Sequence, residues 1–88
     1  MNWRIEVKPS AVKTYSRLDR KTKQRIKQSL HELELCKNPF HHNDVKALTG
    51  TLHGDYRLRV GNWRILFTPD DTLKILYVYA ILPRGNAY

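Results

Sequence analysis

The 88 residues carry 16 Lys plus Arg against 8 Asp plus Glu, a formal net charge of +8 with a pI near 9.9. At 41% hydrophobic and 10% aromatic the chain is too apolar for an intrinsically disordered segment, and no apolar run reaches the ~18 residues of a membrane span. One small core, and so a single domain over residues 1–88, is expected.

The N-terminal MNWRIEVKPS has no apolar stretch behind its charges, so it does not read as a secretory signal, and a cytoplasmic location is expected. A lone cysteine, Cys36, excludes an internal disulfide and a cysteine-rich metal site; neither a metal nor another cofactor is expected. The charge excess favours an anionic partner: nucleic acid, an acidic protein or anionic lipid.

From Trp3 to Lys8, Trp3, Ile5 and Val7 alternate with Arg4, Glu6 and Lys8, the period of a half-buried strand that Pro9 stops. Ser10 is the expected N-cap of a short helix reaching Leu18, with Ala11, Tyr15 and Leu18 as its buried stripe. Asp19 caps a second helix from about Arg20 to Lys37, which buries Ile26, Leu30 and Leu33, with Cys36 ending the stripe, and stops at Asn38-Pro39. Two helices joined at one aspartate should fold back as a hairpin. Asn38 to Thr51 has no periodicity and reads as a loop anchored by Phe40, Val45 and Leu48.

Tyr56 to Phe67, YRLRVGNWRILF, is two alternating runs split by Gly61-Asn62, a dipeptide that tolerates the positive φ of a tight hairpin. A two-residue turn sets Val60 against Trp63, Arg59 against Arg64, Leu58 against Ile65 and Arg57 against Leu66. One face is then Tyr56, Leu58, Val60, Trp63, Ile65 and Phe67, and the other carries Arg57, Arg59 and Arg64. After a turn at Pro69-Asp70-Asp71, Leu73 to Leu82 is almost continuously apolar, as for an inner strand; Tyr77 and Tyr79 share one phase of it, with the core expected for them and the open face the alternative for one. The order is β-α-α-β-β-β, an α+β domain with a two-helix hairpin on one face of a mainly antiparallel four-stranded sheet.

Arginines placed opposite one another repel by tenths of a kcal/mol to about 1 kcal/mol, and the hairpin has no acid to relieve them. Their guanidinium forks match phosphate oxygens, so an open face holding Arg57, Arg59 and Arg64, with Arg84 brought beside them, is a candidate anion site. Arg20, Lys21, Lys23, Arg25 and Lys27 crowd the start of the second helix, where the helix dipole disfavours cations. With Lys46, they are candidates for a sequence-independent grip on nucleic acid.

These residues also carry a resemblance. GDYRLRVGNWRILF, preceded by KALTG and followed after an apolar strand by PRGNAY, resembles the RelE/ParE family of toxin-antitoxin toxins over nearly the whole chain. The resemblance implies a RelE-like, microbial-RNase-like fold and, in the RelE branch, an endoribonuclease that cuts mRNA in the ribosomal A site. It implies as partners the ribosome with its mRNA, a cognate acidic antitoxin, and operator DNA reached only through the toxin-antitoxin complex; no membrane partner is implied.

By the resemblance, Arg57, Arg59, Arg64, Arg84 and Tyr88 are the catalytic residues, and the reaction is 2'-OH attack on the adjacent phosphate, leaving a 2',3'-cyclic phosphate. This sequence departs from the family in having Arg57 and Arg59 where lysines are frequent, and an arginine is a poor proton acceptor. Tyr88 and His53, and beyond them His41 and His42, are the alternatives for acid-base work. The rival readings are a ParE-like poison of DNA gyrase and an inactive relative that binds only antitoxin and operator.

Overall fold

The computed structural model describes residues 2–85. In chain order it has β1 (Arg4–Val7), α1 (Pro9–Ser16), α2 (Arg20–Leu35), β2 (Val45–Ala47), β3 (Tyr56–Val60), β4 (Trp63–Asp70) and β5 (Ile75–Pro83), with single 3-10 turns at Pro39–His41 and Gly50–Leu52. The strands form one sheet in the order β1-β5-β4-β3-β2, in which β1 runs parallel to β5 and the other pairs are antiparallel. Among the described residues no helix is long and apolar enough to cross a membrane.

The α+β architecture is the expected one, with a fifth strand, Val45–Ala47, inside the stretch expected as a loop. Three residues cannot display an alternation, but Val45, Lys46 and Ala47 pair with Leu58, Arg57 and Tyr56. Helix α1 begins at Pro9 rather than after Ser10. Proline there has no N–H to leave unpaired and its φ is already helical, so the helix starts without a side-chain cap. Asp19 caps α2 as expected: its carboxylate accepts from the backbone N–H and the hydroxyl of Thr22, and these bonds hold its pKa below the usual carboxylate value. Helix α2 ends at Leu35, short of Lys37, where Cys36 turns to extended backbone and stands half-buried at the helix end. The Tyr15 hydroxyl donates to Lys23 O at 3.1 Å and ties α1 to α2.

The hairpin register is the expected one, Val60 to Trp63 through Tyr56 to Phe67, with Gly61 at φ +58° in its turn. Leu58, Ile65 and Phe67 join Leu76, Val78 and Ile81 of β5 beneath Ala11, Ile26 and Leu33 of the helices. Both helices lie on this face, and the opposite face carries Lys46, Arg57, Arg59 and Arg64.

The phase of β5 is where the expectation fails. Leu66 pairs with Ala80 while Phe67 pairs with Val78, so Tyr79 is an extra residue without a partner on β4, a β-bulge. The bulge separates the core residues Val78 and Ile81 by three positions and turns both Tyr79 and Ala80 to the open face, where Tyr77 also stands. The tyrosines expected in the core therefore border the arginines.

Candidate nucleic-acid interface

Rows across the open face follow from the pairing. One row is Lys46, Arg57, Leu66 and Ala80; the next is Arg59, Arg64 and Leu82; a third holds Thr68, Tyr77 and Glu6. Lys46 therefore lies directly opposite Arg57 on the shared face, an addition to the arginine group that only β2 makes possible. Successive rows along a strand are ~6.7 Å apart, and neighbouring strands ~4.8 Å.

Each arginine is placed differently. Arg57 is half-buried and its side chain makes no hydrogen bond or ion pair among the described residues. Arg59 is not unrelieved: its Nη2 donates to Asp44 Oδ1 at 3.0 Å, and its backbone N–H to Asp44 O at 2.8 Å. The acid comes from just before β2, outside the hairpin. An exposed pair of this kind contributes ~0–1 kcal/mol, so Asp44 orients Arg59 more than it stabilises the fold. Arg64 Nη1 donates to Gly61 O and Trp63 O, both at 3.0 Å, which fixes the side chain over the hairpin turn and leaves Nε and Nη2 uncommitted among the described residues.

Arg84 is exposed, and its backbone N–H donates to Asn62 O at 2.6 Å, so the chain leaving β5 is brought to the same turn. Arg25 of α2 reaches it too: a Cβ on Gly61 would stand 2.8 Å from Arg25 Nη2. Three guanidinium-bearing residues from three elements thus meet at Gly61-Asn62. Tyr88 lies outside the described residues.

The basic run of α2 does not act as one patch, because consecutive residues point around the helix. Lys21 and Arg25 border a cavity of about 500 Å³ shared with Arg59 and Asp44, whereas Lys27 lines a different groove against α1 and β5. Arg20 is exposed and Lys23 half-buried. His53 is exposed after the second 3-10 turn and its side chain makes no hydrogen bond or ion pair among the described residues, while His42 faces Glu32 at 3.4 Å and His41 approaches Asn38.

The residue that sequence reasoning missed is Asp55. Its Oδ1 accepts from the Thr68 hydroxyl at 2.9 Å and its Oδ2 from the Tyr79 hydroxyl at 2.8 Å, making a node one pleat from Arg57. The signal was present: Asp55 continues the Arg57, Arg59 phase backwards by two residues. Its partner Tyr79 was hidden by the bulge.

Burial, then the bond to Asp55 and its charge, push the Tyr79 phenol up to about 12 from 10. The folded chain holds this proton more tightly than the unfolded one. The stabilisation is fully present below pH 10 and is lost as pH rises through about 12. An ultraviolet titration should show one phenol ionising last, and Tyr79→Phe should remove that step; a wild-type titration with every phenol near the ordinary value would deny the bond.

A family model described as the ParE toxin of type II toxin-antitoxin system, parDE, matches residues 5–88. No curated protein matches the sequence. Among solved structures the chain is similar to the archaeal RelE-RelB complex from Pyrococcus horikoshii OT3, at 28% identity and TM-score 0.81 over 99% of this chain and 100% of that one. It has the fold of the RelB-RelE antitoxin-toxin complex of Methanococcus jannaschii (23% identity, TM-score 0.71, 88% and 87% covered). The isolated E. coli RelE toxin likewise shares it (15% identity, TM-score 0.75, 97% and 87% covered). A family match over all but the first four residues, on a chain whose strands, helices and arginine-bearing hairpin assemble as described, places this protein in the RelE/ParE family of type II toxin-antitoxin toxins.

Proposed function

We propose that this toxin is a ribosome-dependent endoribonuclease that cuts mRNA in the ribosomal A site, by 2'-OH attack on the adjacent phosphate to give a 2',3'-cyclic phosphate and a free 5'-OH. The observation that carries the reading is the convergence of Lys46, Arg57, Arg59 and Arg64 on one helix-free sheet face, with Arg84 tethered beside Arg64 at the hairpin turn. A phosphorane carries its extra charge on its nonbridging oxygens. Donors fixed before the reaction stabilise that charge without reorganising, and Arg64, locked by two carbonyls, is such a donor.

Arginine does not take up a proton at neutral pH, and Tyr79 keeps its own, so neither supplies the base. Tyr88 and His53 stay as acid-base candidates. Holding the sugar and phosphate in line within the ribosome carries the remainder of the rate.

The antitoxins in the solved relatives support a cognate partner for this chain as well, and an acidic segment laid across the arginine face would block the site. Operator DNA is then contacted through that complex, and the protein works in the cytoplasm where ribosomes are. The match to a ParE model favours a second reading, poisoning of DNA gyrase.

Translation of a defined message with the purified chain, mapping RNA ends beside a ribosome-free lane, tests both. Cuts confined to the A-site codon, dependent on ribosomes and lost with Arg64→Ala or Arg84→Ala, are expected. A folded, toxic chain that makes no cuts and inhibits gyrase supercoiling would replace the nuclease reading with the second.

A further inference from the structure

The open face continues past the arginines in a different chemistry. Beyond Thr68, a cavity of about 340 Å³ is lined by Tyr77 and Tyr79 of β5, Thr68 of β4, Glu6 of β1 and Lys8 just after it. Tyr77 is 38% exposed, the one exposed aromatic among the large hydrophobics left open in the described residues, and it lies between Thr68 and Glu6 in their row. Tyr79 is the bulge residue, turned out of the core and held at its hydroxyl by Asp55. Bulges commonly re-aim a side chain beside a functional site, and this one forfeits a ladder position to present a ring.

A phenol whose tip is hydrogen-bonded keeps its ring in one orientation. A flat ligand then meets a platform that loses little freedom on binding. The neighbouring polar groups, a carboxylate, an ammonium and a hydroxyl, suit the edge of a heterocycle that both donates and accepts.

We propose that Tyr77 and Tyr79 form a stacking ledge for a nucleobase of single-stranded RNA, placed beside the arginines that take its backbone. The inference rests on the nucleic-acid reading of the arginine face and extends it to a base-binding subsite. From the strand spacings, Tyr77 is ~12 Å from Arg57, a gap that a nucleotide or two of extended single strand spans. Stacked bases on aromatic side chains next to a cationic groove are how single strands are held without sequence readout. A duplex keeps its bases stacked inside and has none to offer the ledge.

The test measures binding by fluorescence anisotropy of a labelled, fully 2'-O-methylated RNA strand, which cannot be cleaved, alone and annealed to its complement. Tyr77→Ala should weaken single-strand binding about tenfold, the loss expected for one base-aromatic stack, and leave duplex binding unchanged. Tyr77→Phe, which keeps the ring, should bind as wild type and guards against a folding defect. Equal single-strand affinity in wild type and Tyr77→Ala would give the ledge to a protein contact and overturn the proposal. Equal weakening for strand and duplex, or no single-strand binding by wild type, would overturn it too. Tyr77-dependent binding by a chain that fails to cut mRNA on ribosomes would uphold the ledge and remove the nuclease reading alone.

Discussion

Arg57→Ala should lower A-site cleavage about 10²- to 10³-fold, the usual effect of removing one donor from a developing oxyanion, without lowering the melting temperature. Arg57 gives up no hydrogen bond or ion pair among the described residues, and it stands between Leu66 and the like-charged Lys46. Its removal ends a cross-strand repulsion, so thermal unfolding should shift upward by tenths of a kcal/mol. Arg59→Ala, by contrast, leaves Asp44 without its partner and gains nothing in stability. Rates from single-turnover cleavage on programmed ribosomes, beside melting curves of the same preparations, separate the two effects. Cleavage retained by Arg57→Ala would mean that the arginine face binds RNA but does not act on it.

The largest expected effect on folding is at Phe67. Its ring is fully buried on β4, 5.9 Å from Tyr56 in a stacked arrangement, and Tyr56 in turn contacts Phe40, which meets Trp3 edge-on. Phe67→Ala should cost ~3–5 kcal/mol, from lost transfer energy and the cavity left under the helices. A chain of this size has ~4–13 kcal/mol in total, so the variant should lose about a quarter or more of its stability and unfold at a far lower urea midpoint, with the Phe67→Leu midpoint between it and wild type. A loss below ~1 kcal/mol for Phe67→Ala would show that Tyr56 and Phe40 collapse into the space.

The elements legible from the sequence were those with enough length to show a period or a cap. The hairpin register came from a two-residue turn, and the Asp19 cap from one side chain next to a helical stripe; both depend on neighbours in sequence. What was not legible depends on neighbours in space. Strand β2 is too short to alternate, and with it were hidden the Arg59 to Asp44 pair and the place of Lys46. The β5 bulge reversed the phase of an unbroken apolar run, and only pairing with β4 reveals it. At the candidate site the arginines could therefore be placed by arithmetic. Asp55 shares their phase and could have been added to them, but Asp44 and the tyrosines could not.

The parallel pairing of β1 with β5 bears on when the protein can become active. Arg4 through Val7 have no strand partner until residues 75–78 exist to receive them, and β4 is likewise flanked by β5. Closing the sheet joins distant parts of the chain, a slow and late event. During synthesis the hairpin and helices emerge first, yet β5, whose bulge carries Tyr79 and whose end brings Arg84 to the turn, is still inside the ribosome. A nascent chain interrupted before β5 is an incomplete sheet, lacking the strand that carries Tyr79 and brings Arg84 to the hairpin turn.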